Sequence, residues 1–134
     1  MKKLLATTLL IVFALALQQC RNKQQEQLTG IWQLDNMEIN GTTLNGSSLG
    51  KWLWEFNDKG GYLVMVAGAK EKGKYSLKEG KLTMKSVDVK EKPETAYNVL
   101  LLDSAHLHLS AISDKNSSIL YFIKIEGGET EEDD

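Results

Sequence analysis

The sequence predicts an all-β chain: a single antiparallel, eight-stranded, up-and-down β-barrel behind an N-terminal signal segment. Three observations carry this expectation. After Cys20, short apolar runs rich in aromatic and β-branched residues alternate with period two, the pattern of half-buried strands. Turn residues break the runs at short, regular intervals. No window of ten or more residues in that region carries a 3.6-residue period. Closure of eight short strands into a barrel removes exposed sheet edges. A sandwich is the alternative packing of the same strands.

The elements follow in order. The first strand runs from residue 30 to about residue 40. Residues 42–49 are rich in Gly and Asn and read as a loop or one short turn. Trp52, Trp54 and Phe56 then share one face of a strand, with Leu53 and Glu55 on the other. Asn57-Asp58-Lys59-Gly60-Gly61 is a hairpin loop. Tyr62, Val64 and Val66 alternate with Leu63 and Met65. Residues 73–77 place Tyr75 and Leu77 on one side, and Lys78-Glu79-Gly80 turns the chain. Lys81–Ser86 points Leu82 and Met84 inward. A strand at 95–102, the turn Asp103-Ser104-Ala105, and strands at 106–110 and 119–125 complete the set, with a polar loop at 113–118.

The N-terminus has the layout of a secretory signal. Met1-Lys2-Lys3 is basic, residues 4–17 carry no charge, and Cys20 stands where polarity returns at Arg21. The run is shorter than the ~20 apolar residues that span a bilayer. With Leu17 three residues before Cys20, the segment resembles a bacterial lipoprotein signal. That resemblance implies loss of residues 1–19, lipidation of Cys20, and an exported protein anchored in the cell envelope, at the outer membrane or the periplasmic face. Ala14-Leu15-Ala16 offers ordinary signal peptidase an alternative site, which would leave Cys20 a free thiol. No disulfide forms within a chain that has one cysteine. Residues 20–27 are polar and read as a tether, ~20 Å long if extended. A frayed terminus is the plainer reading.

Residues 20–125 hold 14 basic and 12 acidic side chains, a balance that gives no case for nucleic-acid binding. Residues 126–134 hold six acidic residues and nothing apolar, so a disordered, solvating tail is expected. Residues 70–92 contain eight lysines. They read as a solvated face that guards the sheet from edge pairing, with contact to anionic lipid or polysaccharide as the alternative.

Little in the sequence points to catalysis. His106 and His108 are two apart on a strand, so both rings take one face. Leu107 and Leu109 claim the core, which leaves the histidines in solvent, and no Cys pair or His-Glu-x-x-His accompanies them. Gly-x-Ser-x-Gly, a phosphate loop and a dinucleotide fingerprint are all missing. The expectation is a non-enzyme without metal or cofactor.

Leu28-Thr29-Gly30-Ile31-Trp32-Gln33-Leu34 places Gly-x-Trp directly after the polar segment. Trp54-Glu55-Phe56-Asn57-Asp58-Lys59-Gly60, Gly73-Lys74-Tyr75-Ser76-Leu77, Gly80-Lys81-Leu82-Thr83 and Tyr121-Phe122-Ile123-Lys124 follow. In order and spacing, residues 28–125 resemble the lipocalin-like family, in particular small lipocalin-like lipoproteins of Bacteroidetes-type bacteria. The resemblance implies a barrel floor in which Trp32 is the plug, Gly30 gives the chain room, and Lys124 stands where a basic residue packs on the tryptophan. It further implies a monomeric, non-catalytic binding protein for one small hydrophobic or amphipathic ligand. An eight-stranded barrel is just wide enough to hold such a ligand or to fill with side chains. The expected lining is Trp52, Trp54, Phe56, Tyr62, Tyr75, Met84 and Tyr97, with Met65 a further candidate. The rival is an exported interaction protein whose solid barrel acts through its outer surface.

Overall fold

The expected strands close on themselves in the computed structural model, which describes residues 23–111 and 115–125. The signal segment, Cys20 and the acidic tail lie outside the described residues. The strands are β1 (Gly30–Ile39), β2 (Thr42–Asn45), β3 (Trp52–Phe56), β4 (Gly61–Val66), β5 (Ala69–Lys78), β6 (Lys81–Ser86), β7 (Thr95–Leu102), β8 (His106–Ala111) and β9 (Ser118–Lys124). Neighbours pair antiparallel from β3 through β9 in chain order, and β9 returns to β1. Eight strands make the wall.

The ninth strand is β2, in a segment read from sequence as a loop or turn. β1 is longer than β3, which pairs only with Gly30 to Gln33. Beyond that, the free edge of β1 at Asn36 to Ile39 accepts β2. Asn40 and Gly41 both have positive φ, 50° and 85°, the twist a two-residue type I′ hairpin requires. The expected short turn is also present, as a 3-10 turn at Gly46–Leu49. Ala67-Gly68 and Glu79-Gly80 reverse the chain in the same way as Asn40-Gly41.

Residues 30, 56, 61 and 124 lie at one end, the floor, and residues 39, 66, 69, 86 and 95 lie toward the other, the mouth. The floor half is filled. Trp32, Phe56, Leu82, Leu107, Leu109 and Phe122 are fully buried. Trp54 packs on Phe122 with ring centroids 4.7 Å apart, and Phe56 meets Tyr75 edge-on at 5.1 Å. Aromatic contacts of this kind add about 0.5–1.5 kcal/mol each beyond area burial.

The segment expected as a tether differs in its described part. Residues 23–28 are helical, and the turn closes the floor from below. Leu28 is buried, and its carbonyl accepts the Trp32 indole N–H at 2.8 Å. The Gln27 carbonyl accepts Lys124 Nζ at 3.0 Å, and that ammonium lies 5.0 Å from the centroid of the Trp32 ring. The Gln25 side chain donates to the Asp58 carbonyl at 3.0 Å. A polar segment thus satisfies floor donors with its own carbonyls, which no hydrophobic period announces. Gly30 has φ 139°, and a Cβ there would lie 3.1 Å from the Lys124 side chain. The positive φ, with Lys124 this close, favours glycine at this position.

Alternation fails at two bulges, one between Leu34 and Asn36 in β1 and one in β7. A bulge between Val99 and Leu101 leaves Leu100 as an extra residue, and Leu100 and Leu101 both end exposed. Edge protection also loses its object, since β5 and β6 have paired neighbours on both sides.

Trp32→Ala should cost roughly 3–5 kcal/mol of stability, the usual effect of truncating a buried large aromatic. Denaturant melts check this. A loss below about 1 kcal/mol, typical of surface positions, would contradict the floor assignment.

Candidate functional site

Above the filled floor the barrel is open. A pocket of about 300 Å³ occupies the mouth half between the inner faces of β3 to β7. Trp54, Tyr62, Val64, Val66, Met84 and Tyr97 form its walls, and Ala69, Lys70, Glu71, Ser86, Lys92, Pro93 and Thr95 its rim. The walls follow from period two, because Tyr62, Val64 and Val66 are alternate residues of one strand.

Tyr62 shows how the site is built. It faces Gly73 across the β4–β5 ladder. A Cβ at Gly73 would collide with the Tyr62 ring and the Lys85 carbonyl, so the ring lies against bare backbone. From there the hydroxyl donates to Glu71 Oε2 at 3.3 Å. The same carboxylate receives Lys92 Nζ at 3.0 and 3.1 Å. Burial, and then the Glu71 charge, push the Tyr62 phenol up to about 12. Burial followed by Glu71 also raises Tyr97.

Lys92 and Pro93 come from the loop at 87–94, which is pinned beside the rim. Val87 N–H donates to the Lys72 carbonyl, Lys72 N–H donates to Asp88 Oδ2, and Val89 N–H donates to the buried Ser86 hydroxyl. Among the described residues, Trp54 Nε1 is a buried side-chain donor without a partner. Such a group costs about 1–3 kcal/mol.

Of the residues expected to line a cup, Trp54, Tyr62, Met84 and Tyr97 do so. Trp52 does not. It packs at the margin of the core, and its indole N–H donates to the Leu49 carbonyl at 3.2 Å. Phe56 and Tyr75 share the inward face but sit at floor level, where the Tyr75 hydroxyl donates to the Asn57 carbonyl at 2.7 Å. Met65 is the outward neighbour of Val64 and Val66 and lies outside the lining. Alternation gives the face of a residue but not its height in the barrel. Glu71 and Lys92 were read only as part of a solvated, lysine-rich stretch. Glu71 turns inward because β5 begins at Ala69 rather than at 73.

Leu107 and Leu109 are fully buried, so His106 and His108 take the outer face of β8. His106 Nδ1 lies 3.3 Å from Asp103 Oδ1, and His108 packs edge-on against Tyr121. Partial burial, and then His106, lower the His108 imidazole. No group of three or more metal-ligating side chains gathers among the described residues.

The raised Tyr62 value has a definite sign. The fold favours the neutral phenol, so its contribution is complete below the ordinary value of 10.0 and is lost as pH rises toward about 12. Denaturant midpoints measured from pH 9 to pH 12 should therefore fall, and fall less steeply in Tyr62→Phe. Equal slopes in parent and variant would contradict the part-buried Tyr62–Glu71 contact.

Comparison with known proteins agrees with this architecture. The lipocalin-like domain family model matches residues 28–109. A lipocalin-like protein from Bacteroides uniformis superposes with a TM-score of 0.58 at 21% identity, over 74% of this chain and 99% of that one. An uncharacterized protein from Bacteroides eggerthii gives 0.60 at 15% identity, over 73% and 99%. No curated protein matches the chain. The likeness to the two solved structures speaks for the fold, and the match over residues 28–109 makes the chain a member of the lipocalin-like domain family.

Proposed function

We propose that this protein is a non-catalytic binding protein, held to the cell envelope by a lipid on Cys20, that takes one small amphipathic ligand in the mouth half of its barrel. The pocket over a filled floor is the observation that supports this reading most. Its volume, about 300 Å³, stands at the small end of the ~300–1,000 Å³ of ligand sites. A compact molecule fits it, and a long chain would leave part of itself outside. The walls are aromatic and aliphatic, so the inserted part is apolar. The rim carries Lys70, Glu71 and Lys92, two positive charges to one negative, which favours a ligand whose outer end is an anion such as a carboxylate.

Tryptophan-fluorescence titration tests this, because Trp54 lines the pocket. Short-chain and aromatic carboxylic acids should bind saturably and better than alcohols of equal length. Tyr97→Ala should weaken binding by roughly 1–3 kcal/mol through lost apolar contact. Native mass spectrometry of protein from its own host should show a co-purifying small molecule. If nothing co-purifies and no acid shifts the fluorescence, the cup reading falls and a barrel acting through its surface replaces it.

Anchoring has a separate test. Intact-mass analysis of protein from its own host should show a chain that begins at Cys20 and carries acyl groups. A chain beginning at Leu17 with an unmodified cysteine would overturn the lipid anchor.

A further inference from the structure

The outer wall of β5 and β6 carries charge that the barrel does not need. Lys70 stands on β5 at the pocket rim, Lys72, Lys74 and Lys78 follow along the outer face, Lys81 and Lys85 project from β6, and all six are exposed. The one acidic residue of these two strands is Glu71, which is turned inward and held by Lys92. Among the described residues, none of the six lysines is in an ion pair, and Lys85 is the one whose ammonium finds a partner, the Lys92 carbonyl.

The register makes this arrangement costly. Lys74 stands directly opposite Lys85, and Lys78 directly opposite Lys81. Like charges in directly paired positions destabilise a sheet. Edge protection does not account for Lys72, Lys74 and Lys81, whose positions are paired on both sides. Acidic residues border the stripe, with Glu79 in the β5–β6 turn and Asp88, Glu91 and Glu94 in the loop at 87–94, and Asp88 Oδ2 accepts the Lys72 backbone N–H at 2.7 Å.

We propose that the outer face of β5 and β6, through Lys72, Lys74, Lys78 and Lys81, binds an acidic polysaccharide. The stripe is two strands wide, about 5 Å between strands, and from Lys70 to Lys78 runs about 27 Å at ~3.3 Å per residue. Lys70, Lys72 and Lys74 recur every second residue and Lys78 follows beyond Ser76, a run suited to a linear chain of repeated charges. Between the lysine pairs the outward positions are Ser76 and Thr83, directly opposite each other, which offer hydroxyls to a hydrated polymer. Val87 follows β6 beside Lys72 at the mouth end of the stripe, and Leu100 and Leu101 lie off it. The outward positions from Lys74 to Lys81 give a bilayer no apolar side chain to insert.

The test uses the full chain with polygalacturonate as the acidic polymer, dextran as the neutral one, and phosphatidylglycerol against phosphatidylcholine vesicles. Polygalacturonate should bind saturably, dextran should not, and affinity should drop at least ~10-fold between low and moderate salt as counterion release requires. The triple variant Lys74→Gln, Lys78→Gln, Lys81→Gln should lose at least ~10-fold in affinity, while its melting temperature at low salt holds or rises. The single variant Lys78→Gln should show a smaller loss of the same kind, and Lys51→Gln, outside the two strands, should show none. Equal binding of polygalacturonate and dextran would overturn the proposal. So would a triple variant that is folded and binds like the parent. A preference for phosphatidylglycerol that depends on these lysines, without polygalacturonate binding, would also overturn it and assign the stripe to a bilayer.

Discussion

The seam between β1 and β9 holds the barrel together, and the Trp32–Lys124 pair is its clasp. The two residues face each other in register, one from each strand. The indole is wholly buried, its N–H is satisfied by Leu28, and the Lys124 ammonium over the ring is satisfied by Gln27. Three chain segments therefore meet at one point. A tryptophan brings the largest apolar area of any side chain together with one polar atom that is costly to bury without a partner. The helical turn at 23–28 supplies that partner and closes the end of the barrel. Gly30 is the backbone concession that lets Lys124 cross the strand.

A filled floor decides what the rest of the barrel can offer. Eight strands enclose little space, and the rings of Trp32, Phe56 and Phe122 consume the lower half of it. Any ligand space is pushed to the mouth, where smaller residues such as Val64 and Val66 face inward. There the polar groups depend on one another. Glu71 is tolerable on an inner face because Lys92 and Tyr62 both bond to it, and Tyr62 reaches it only because Gly73 has no side chain. The loop at 87–94 delivers Lys92 and is itself fixed by hydrogen bonds to Ser86 and Lys72. The rim is a coupled unit, so a change at any member reaches the others.

Inner and outer walls obey different constraints. Inside, packing and satisfaction of polar groups leave few choices, and the buried residues are large and apolar. Outside, β5 and β6 lie within the closed part of the wall, where charge can serve contacts with other molecules. The opposed lysines of β5 and β6 sit on that unconstrained side. The histidine pair of β8 is likewise outward, and its neighbours Asp103 and Tyr121 account for its contacts.

The sequence by itself determined the strands, their faces and the closing tryptophan. Period two is a local property of extended chain, so alternation such as Trp52-Leu53-Trp54-Glu55-Phe56 is readable without a partner strand. Gly30, Trp32 and Lys124 were legible as a floor through the resemblance to the lipocalin-like family, not through periodicity. What tertiary structure alone decided is height, register and partners. Trp52, Trp54 and Phe56 share a face, yet only Trp54 lines the pocket, because strand stagger sets the level at which each ring enters the barrel. β2 carries almost no apolar pattern and exists because β1 outruns β3 and leaves an edge to pair. Residues 23–27 are polar and, with Leu28, become a helical turn against the floor because Trp32 and Lys124, close in space but far apart in sequence, need acceptors. Such needs arise only when distant segments meet, and for that reason no local reading of the chain contains them.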